Sequence, residues 1–265
     1  MISLASIERA VEVLRGKVIH TPLVYSPTFS HLSGAEVYLK LENLQETGSF
    51  KLRGASYKIQ NLLGEIGPEG VVAASAGNHA QGVALAAKRV GVKATIVMPE
   101  SASLAKQEAT RNYGGDVVLA GQSTSESIQQ ARLLAQAGKV FIHPFDDPDI
   151  IAGQGTISFE IIQDCADPDL IIVPIGGGGL IAGIAAGIKA LHPRARVIGV
   201  QAAACPSAYQ ALKEGGVTRV EAGRSIADGI AVKQIGDLPF AVIRELVDQV
   251  VLVDDDQIAA AILLL

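Results

Sequence analysis

The chain has 265 residues, 49% of them hydrophobic and only 18% charged, so it can bury one large core or two modest ones and is not a disordered segment. A formal net charge of −5 gives no general attraction to nucleic acid or to an anionic membrane, so any anion must be held locally by backbone amides or a few placed cations. The two cysteines, Cys165 and Cys205, have no CxxC or metal-type spacing, and no uninterrupted apolar run is long enough to span a bilayer. A reduced cytoplasmic protein is the simple expectation.

Short apolar runs alternate with amphipathic segments, the pattern of βαβ units around a parallel sheet. Ser6 to Leu14 reads as an amphipathic helix ending near Gly16, with none of the order of a secretory signal. Glu36 to Leu41 alternates as a strand, and Gly48 to Leu63 opens as a loop and continues as a helix. Then follow strand Val71–Ala74, helix Asn78–Val90, strand Ala94–Met98, helix Leu104–Tyr113, strand Val117–Leu119, helix Ser123–Ala137 and strand Val140–Ile142. Asp147–Pro148 opens a helix over about Ile150 to Gln163, and Asp169–Pro174 reads as a buried-type strand. Four glycines, 176–179, lead into helix Leu180–Leu191, followed by strand Arg196–Val200 and a less regular stretch from Ala202 to Gly229. Strand Gln249–Val253 meets Asp254, a good N-cap for a last helix. That helix is apolar and stops at Leu265 without a cap, which suggests a fragment of a longer chain.

Three segments invite chemistry. Lys51, in Ser49-Phe50-Lys51-Leu52-Arg53-Gly54, falls in the first turn of a helix. The helix dipole and nearby Arg53 both disfavour an ammonium there and favour a nucleophilic amine; a solvated surface lysine is the alternative. Ser75-Ala76-Gly77-Asn78-His79 follows a buried strand and starts a helix, a geometry that either binds a carboxylate or phosphate or is a capped turn. Gly176-Gly177-Gly178-Gly179-Leu180 removes every side chain where backbone could wrap an oxyanion, at an entropic cost that a simple turn does not require. A dinucleotide fingerprint through Gly177, Gly179 and Ala182 fails because the next strand ends in Val200-Gln201, with no acid for a ribose. Asp146 and Asp147 read as bending and capping the chain, and the five histidines show no ligand-type spacing, so no metal is assigned.

Together and in this order, the segments resemble the threonine dehydratase and serine racemase family of fold-type II pyridoxal-phosphate enzymes. The likeness runs from His20-Thr21-Pro22-Leu23 through Thr47 to Ala55, Ser75 to His79 and Pro144-Phe145-Asp146-Asp147-Pro148, to Ala152-Gly153-Gln154-Gly155-Thr156 and the tetraglycine loop. It implies an α/β fold of two domains, each a twisted, mostly parallel sheet flanked by helices, with pyridoxal 5'-phosphate in the cleft between them. The larger domain would be residues 1–42 with 143–265, and the smaller 43–142. By resemblance, Lys51 forms a Schiff base with the cofactor, Phe50 packs near its ring and Asn78 bonds its 3-oxygen. Gly176, Gly177, Gly178, Gly179 and Leu180 would cradle its phosphate, and Ser75, Ala76, Gly77, Asn78 and His79 would grip the carboxylate of a small hydroxy amino acid. Serine racemases carry a serine proton donor where this chain has Ala76, so the resemblance favours dehydration of threonine or serine, with freed Lys51 as general base. A racemase, a 3-hydroxyaspartate dehydratase and a ligand-binding relative without turnover are the alternatives. A cysteine synthase is disfavoured by His79, where those enzymes have threonine. The family also implies a homodimer or homotetramer. Its partner for the pyridine nitrogen and its cation site come from a later segment that this sequence stops before.

Overall fold

The computed structural model describes residues 2–265 and has the alternating α/β architecture that the periodicity implies. Its elements begin with α1 (Leu4–Leu14), β1 (Leu23–Tyr25), α2 (Pro27–Ser33), β2 (Tyr38–Lys40) and α3 (Lys51–Asn61). They continue with β3 (Val71–Ala74), α4 (Asn78–Arg89), β4 (Ala94–Met98), α5 (Leu104–Asn112), β5 (Asp116–Leu119), α6 (Thr124–Gln136), β6 (Val140–Phe141) and α7 (Pro148–Asp164). Then come β7 (Leu170–Pro174), α8 (Gly179–Leu191), β8 (Arg196–Ala202), α9 (Ser207–Glu214), α10 (Asp237–Leu246), β9 (Gln249–Val253) and α11 (Asp255–Leu264). The chain separates into two compact units. One, here the lysine unit, comprises Arg9–Ile19 and Glu42–Gln154; the other, the glycine unit, comprises Met1–Glu8, His20–Leu41 and Gly155–Leu265.

The lysine unit is built on a four-stranded parallel sheet of order β5-β4-β3-β6. Strands β3 and β4 are buried along their whole length, which is why they read as continuous apolar runs and not as alternations. The two-residue period still decides their packing. Val71 and Ala73 join Leu52, Ile59, Val83 and Ile96 in one core cluster, whereas Val72 and Ala74 join Val97 and Ala131 of α6 in another.

The glycine unit holds a three-stranded parallel sheet, β7-β8-β9, and an antiparallel ribbon in which Leu23 of β1 pairs with Lys40 of β2. Gly199 of β8 is required by close packing, since a Cβ there would come within 2.3 Å of Ile175 Cδ1. Strand β7 differs from its expected burial: it lies at a sheet edge, and Leu170 and Ile172 are 42% and 63% exposed. Helix α9 falls in the stretch read as irregular. Helix α2 carries a Ser26 cap accepting from the Phe29 N–H, Pro27 in its first turn and a left-handed Gly34 at its end, but at seven residues it is too short to show a period. The last helix opens with the Asp254 cap and Gln257 completes a capping box. Among the described residues, no helix is long and apolar enough to cross a membrane.

Candidate active site

Helix α3 begins at Lys51, and its first turn is held by contacts that leave no room for side chains. A Cβ on Gly153 of α7 would lie 2.6 Å from Gly54 Cα, and one on Gly82 of α4 would lie 3.1 Å from the Lys51 carbonyl carbon. Phe50 precedes the helix without a side-chain cap, so the donors of the first turn need other partners. The Arg53 N–H bonds Phe50 O at 3.0 Å, and Gln154 Oε1 accepts the Gly54 N–H at 3.1 Å. Gln154 thus performs from a neighbouring helix the task of a cap.

The Lys51 amine donates to the Pro144 carbonyl at 2.8 Å and sits 5.3 Å from the centroid of the Phe50 ring. Part of the residue reaches solvent, but the amine itself is desolvated, and burial lowers its pKa to about 8. Arg53 plays no part in this shift. Its side chain is fully buried and faces Glu42, with Nε 2.9 Å from Oε2 and Nη2 2.7 Å from Oε1, and Nη2 also donates to Ile19 O at 3.2 Å. A cation already neutralised by a bidentate carboxylate cannot repel an ammonium effectively.

Ser75 to His79 form the turn between β3 and α4. The Ser75 hydroxyl accepts the Gly77 N–H at 3.1 Å and keeps its own proton to donate. The N–H groups of Ala76, Asn78 and His79 are given to no protein acceptor among the described residues, and Asn78 is exposed. Ala76 packs its methyl against the β3–α4 core. His79 is buried, and its Nε2 donates to Ile142 O at 3.0 Å. Burial lowers its pKa to about 3, with the nearby Lys51 charge adding to the effect, so at neutral pH it is an uncharged imidazole with its proton on Nε2. The lysine unit thus brings Phe50, Lys51 and His79 together beside a turn with unused donors. The hydroxyls of Thr47 and Ser49, just before Lys51, are buried without a partner among the described residues.

In the glycine unit, β7 ends at Pro174, and residues 176–179 make the turn into α8. Gly178 has φ +92°, and a Cβ on it would lie 2.7 Å from Pro239 Cβ; one on Gly176 would lie 3.1 Å from Ile230 Cα. The Gly177 carbonyl accepts the Gly236 N–H at 3.2 Å, anchoring the loop to the start of α10. The N–H groups of Gly176, Gly177, Gly178, Gly179 and Leu180 have no protein acceptor among the described residues. Bare amides at the positive end of a 13-residue helix suit an anion such as phosphate. No group of three or more His, Cys, Asp or Glu suited to a metal ion occurs among the described residues.

Three groups here escaped the reading of the sequence. Gly153 and Gln154 lie within a quoted motif that assigns them no role, and Gly82 lies inside a helix with no local signal of its close approach to Lys51. His143, whose Nδ1 accepts the backbone N–H groups of Phe145 and Asp146, gave no signal in its spacing.

Known proteins share the sequence and the fold of this chain. An L-threonine ammonia-lyase of Thermotoga maritima is 51% identical across 100% of this chain, and this chain spans 66% of that relative's length. A catabolic L-threonine dehydratase, TdcB, of Staphylococcus aureus is 44% identical over 98% of the chain and 76% of its own length. Maize serine racemase superposes with a TM-score of 0.95 at 36% identity, covering 98% of this chain and 79% of that one. Processed threonine deaminase isoform 2 of Solanum lycopersicum does so with a TM-score of 0.93 at 42% identity, covering 98% and 72%. A buried lysine whose pKa is lowered to about 8 suits an aldehyde, and the bare amides of a glycine loop suit a phosphate, so the residues fit pyridoxal phosphate. With the family described as pyridoxal-phosphate dependent enzyme matching residues 14–265, this chain belongs to that family.

Proposed function

We propose that this chain carries the catalytic core of a pyridoxal-phosphate dependent lyase that removes water from threonine or serine, giving a 2-oxo acid and ammonia. The observation that carries the proposal is the Lys51 amine, buried, held by Pro144 O and brought to a pKa of about 8. At the ordinary value of 10.5 fewer than about one lysine in a thousand is a neutral amine at pH 7, whereas at about 8 roughly one in ten is, so nucleophile and base are available without a large cost.

Lys51 would hold the cofactor aldehyde, with Phe50 against the ring, Asn78 at the 3-oxygen and Gly176 to Leu180 around the phosphate. When bound, the cofactor supplies an electron sink for the pair left at Cα. The chain's own residues do the rest. The unused N–H groups of Ala76, Asn78 and His79 bind the substrate carboxylate at the start of α4. His79, being neutral and tied to Ile142 O, adds no second positive charge beside Lys51. Lys51 takes the Cα proton, and its desolvated setting keeps water from competing. Ala76 has no proton to return, so proton removal leads on to loss of the β-hydroxyl. Net, one water is lost and one is taken up, and threonine becomes 2-oxobutanoate and ammonia. The names of the lyase relatives support this reading, as does the resemblance of the whole site pattern.

The test is borohydride reduction of the purified protein with pyridoxal phosphate, peptide mapping, and assay of 2-oxobutanoate from threonine. A pyridoxyl group on Lys51 with 2-oxobutanoate formed is expected. An adduct elsewhere, or racemisation of serine faster than elimination from threonine, overturns the proposal.

A further inference from the structure

Between β6 and α7 the chain turns sharply around a histidine. His143 Nδ1 accepts the N–H of Phe145 at 3.3 Å and of Asp146 at 2.8 Å. A ring nitrogen that accepts carries no proton, so His143 keeps its hydrogen on Nε2. Edge-on contacts with Phe141 and Phe145, at centroid distances of 5.9 and 4.8 Å, fix the ring. Burial favours this neutral form; Asp146 and Asp147 pull the other way, while Arg132 of α6 and Lys51 of α3 support it.

The turn presents two carbonyls two residues apart. Ile142 O takes the His79 Nε2 proton at 3.0 Å, and Pro144 O takes the Lys51 amine at 2.8 Å. Its far end is also tied to α3. Asp147 Oδ1 accepts the Asp149 and Ile150 N–H groups at 2.9 and 3.1 Å, and its Oδ2 pairs with Lys58 at 2.9 Å. Between these anchors, His143 Nδ1 is a side-chain acceptor that closes the bend.

We propose that His143 is a positioning residue: its Nδ1 sets the turn that offers the Pro144 carbonyl to the Lys51 amine. This rests on reading Lys51 as the reactive lysine. A neutral amine that gives one hydrogen to Pro144 O keeps its lone pair out of that direction and confines it to the two remaining staggered positions. Without that partner the Cε–Nζ bond samples three staggered positions, and misalignment adds to the loss, so an effect of about tenfold is expected.

Two substitutions separate this role from packing. His143→Phe keeps an aromatic ring between Phe141 and Phe145 but removes the acceptor. His143→Asn keeps a short acceptor able to bond N–H groups two and three residues on, but removes the ring. In the full chain, hydrogen exchange at the Phe145 and Asp146 amides and the rate of pyridoxal phosphate capture at Lys51 across pH 6–10 are compared. His143→Phe is expected to lose amide protection, slow capture about tenfold and move its pH midpoint upward as water reaches Lys51. His143→Asn should stay within about threefold of wild type with an unchanged midpoint. Normal capture by His143→Phe, or His143→Asn as impaired as His143→Phe, overturns the inference. Should His143→Phe not fold by circular dichroism, His143→Asn decides: near-wild-type behaviour supports the role, and a tenfold loss sinks it. Wild-type protein that carries no adduct on Lys51 refutes the reading of the lysine instead, and the exchange comparison still judges the turn.

Discussion

The turn after β3 and the turn after β7 both end a parallel strand and begin a helix, yet one is lined with side chains and the other has almost none. In the first, Ser75 holds the Gly77 N–H and buried His79 is tied to Ile142 O. Gly77 itself is under no steric demand: its φ is −132°, and a Cβ there would meet open space. In the second, Gly178 has a positive φ, and a Cβ would collide with Pro239. The same residue type is therefore present for opposite reasons. At 178 the fold requires it, and at 77 no neighbouring atom does.

The largest effect is expected in the lysine unit. Lys51→Ala removes both the attachment point and the base, and threonine turnover should fall by about a thousandfold or more, read from 2-oxobutanoate formation. Activity surviving within about tenfold would place the chemistry on another residue. The two glycines come next. Gly178→Ala should lower stability by about 1–3 kcal/mol in denaturant titration and weaken capture of pyridoxal phosphate. Gly77→Ala should leave stability within about 0.5 kcal/mol, while the Michaelis constant for threonine rises as a methyl enters the carboxylate turn. Equal stability losses at both positions would erase the contrast between the turns.

Much of this division was legible in the sequence, because its signals are local. Strand β3, the start of α4 at Asn78 and the run of glycines before α8 all announce themselves through short apolar runs and breaks in side-chain pattern. The reactive amine was not legible in the same way. The helix start and Arg53 point to an unusual lysine, but Arg53 is spent on Glu42, and burial by distant residues is what shifts Lys51. Pro144 lies 93 residues from Lys51, and Gln154 lies 100 residues from Gly54. No periodicity records contacts at that separation. Strand β7 shows the converse: its apolar run suggested burial, but Leu170 and Ile172 on one face are exposed while Val173 on the other is buried.

Acid should distinguish the two turns as well, since only the first contains a buried titratable group. His79 has a pKa lowered to about 3 in the fold, against about 6.5 when unfolded. Between those values the unfolded chain binds a proton that the folded chain does not. The stabilising contribution is thus complete above the unfolded value and is lost as pH falls toward the folded one. From pH 6.5 to 5.5 this amounts to about 1 kcal/mol for one such group. His79→Gln, which can still donate to Ile142 O but does not titrate, should flatten that part of the stability profile. An unchanged slope would mean that His79 is protonated in the fold.

The smallest effect belongs to Ser75. Its hydroxyl holds the Gly77 N–H in a partly exposed turn, so water can replace it, and Ser75→Ala should cost only about 0.5–1 kcal/mol of stability. Function should feel it differently. Freed from Ser75, the Gly77 peptide can rotate, and the neighbouring Ala76 and Asn78 donors lose their common aim. The Michaelis constant for threonine should rise several-fold while turnover at saturation stays close to wild type, because Lys51 is held by Pro144 and not by this turn. A fall in turnover with an unchanged Michaelis constant would show that Ser75 acts on the reacting atoms. No change in either would mean that the backbone alone orients the donors, and the side-chain-lined turn would then work as the glycine turn does.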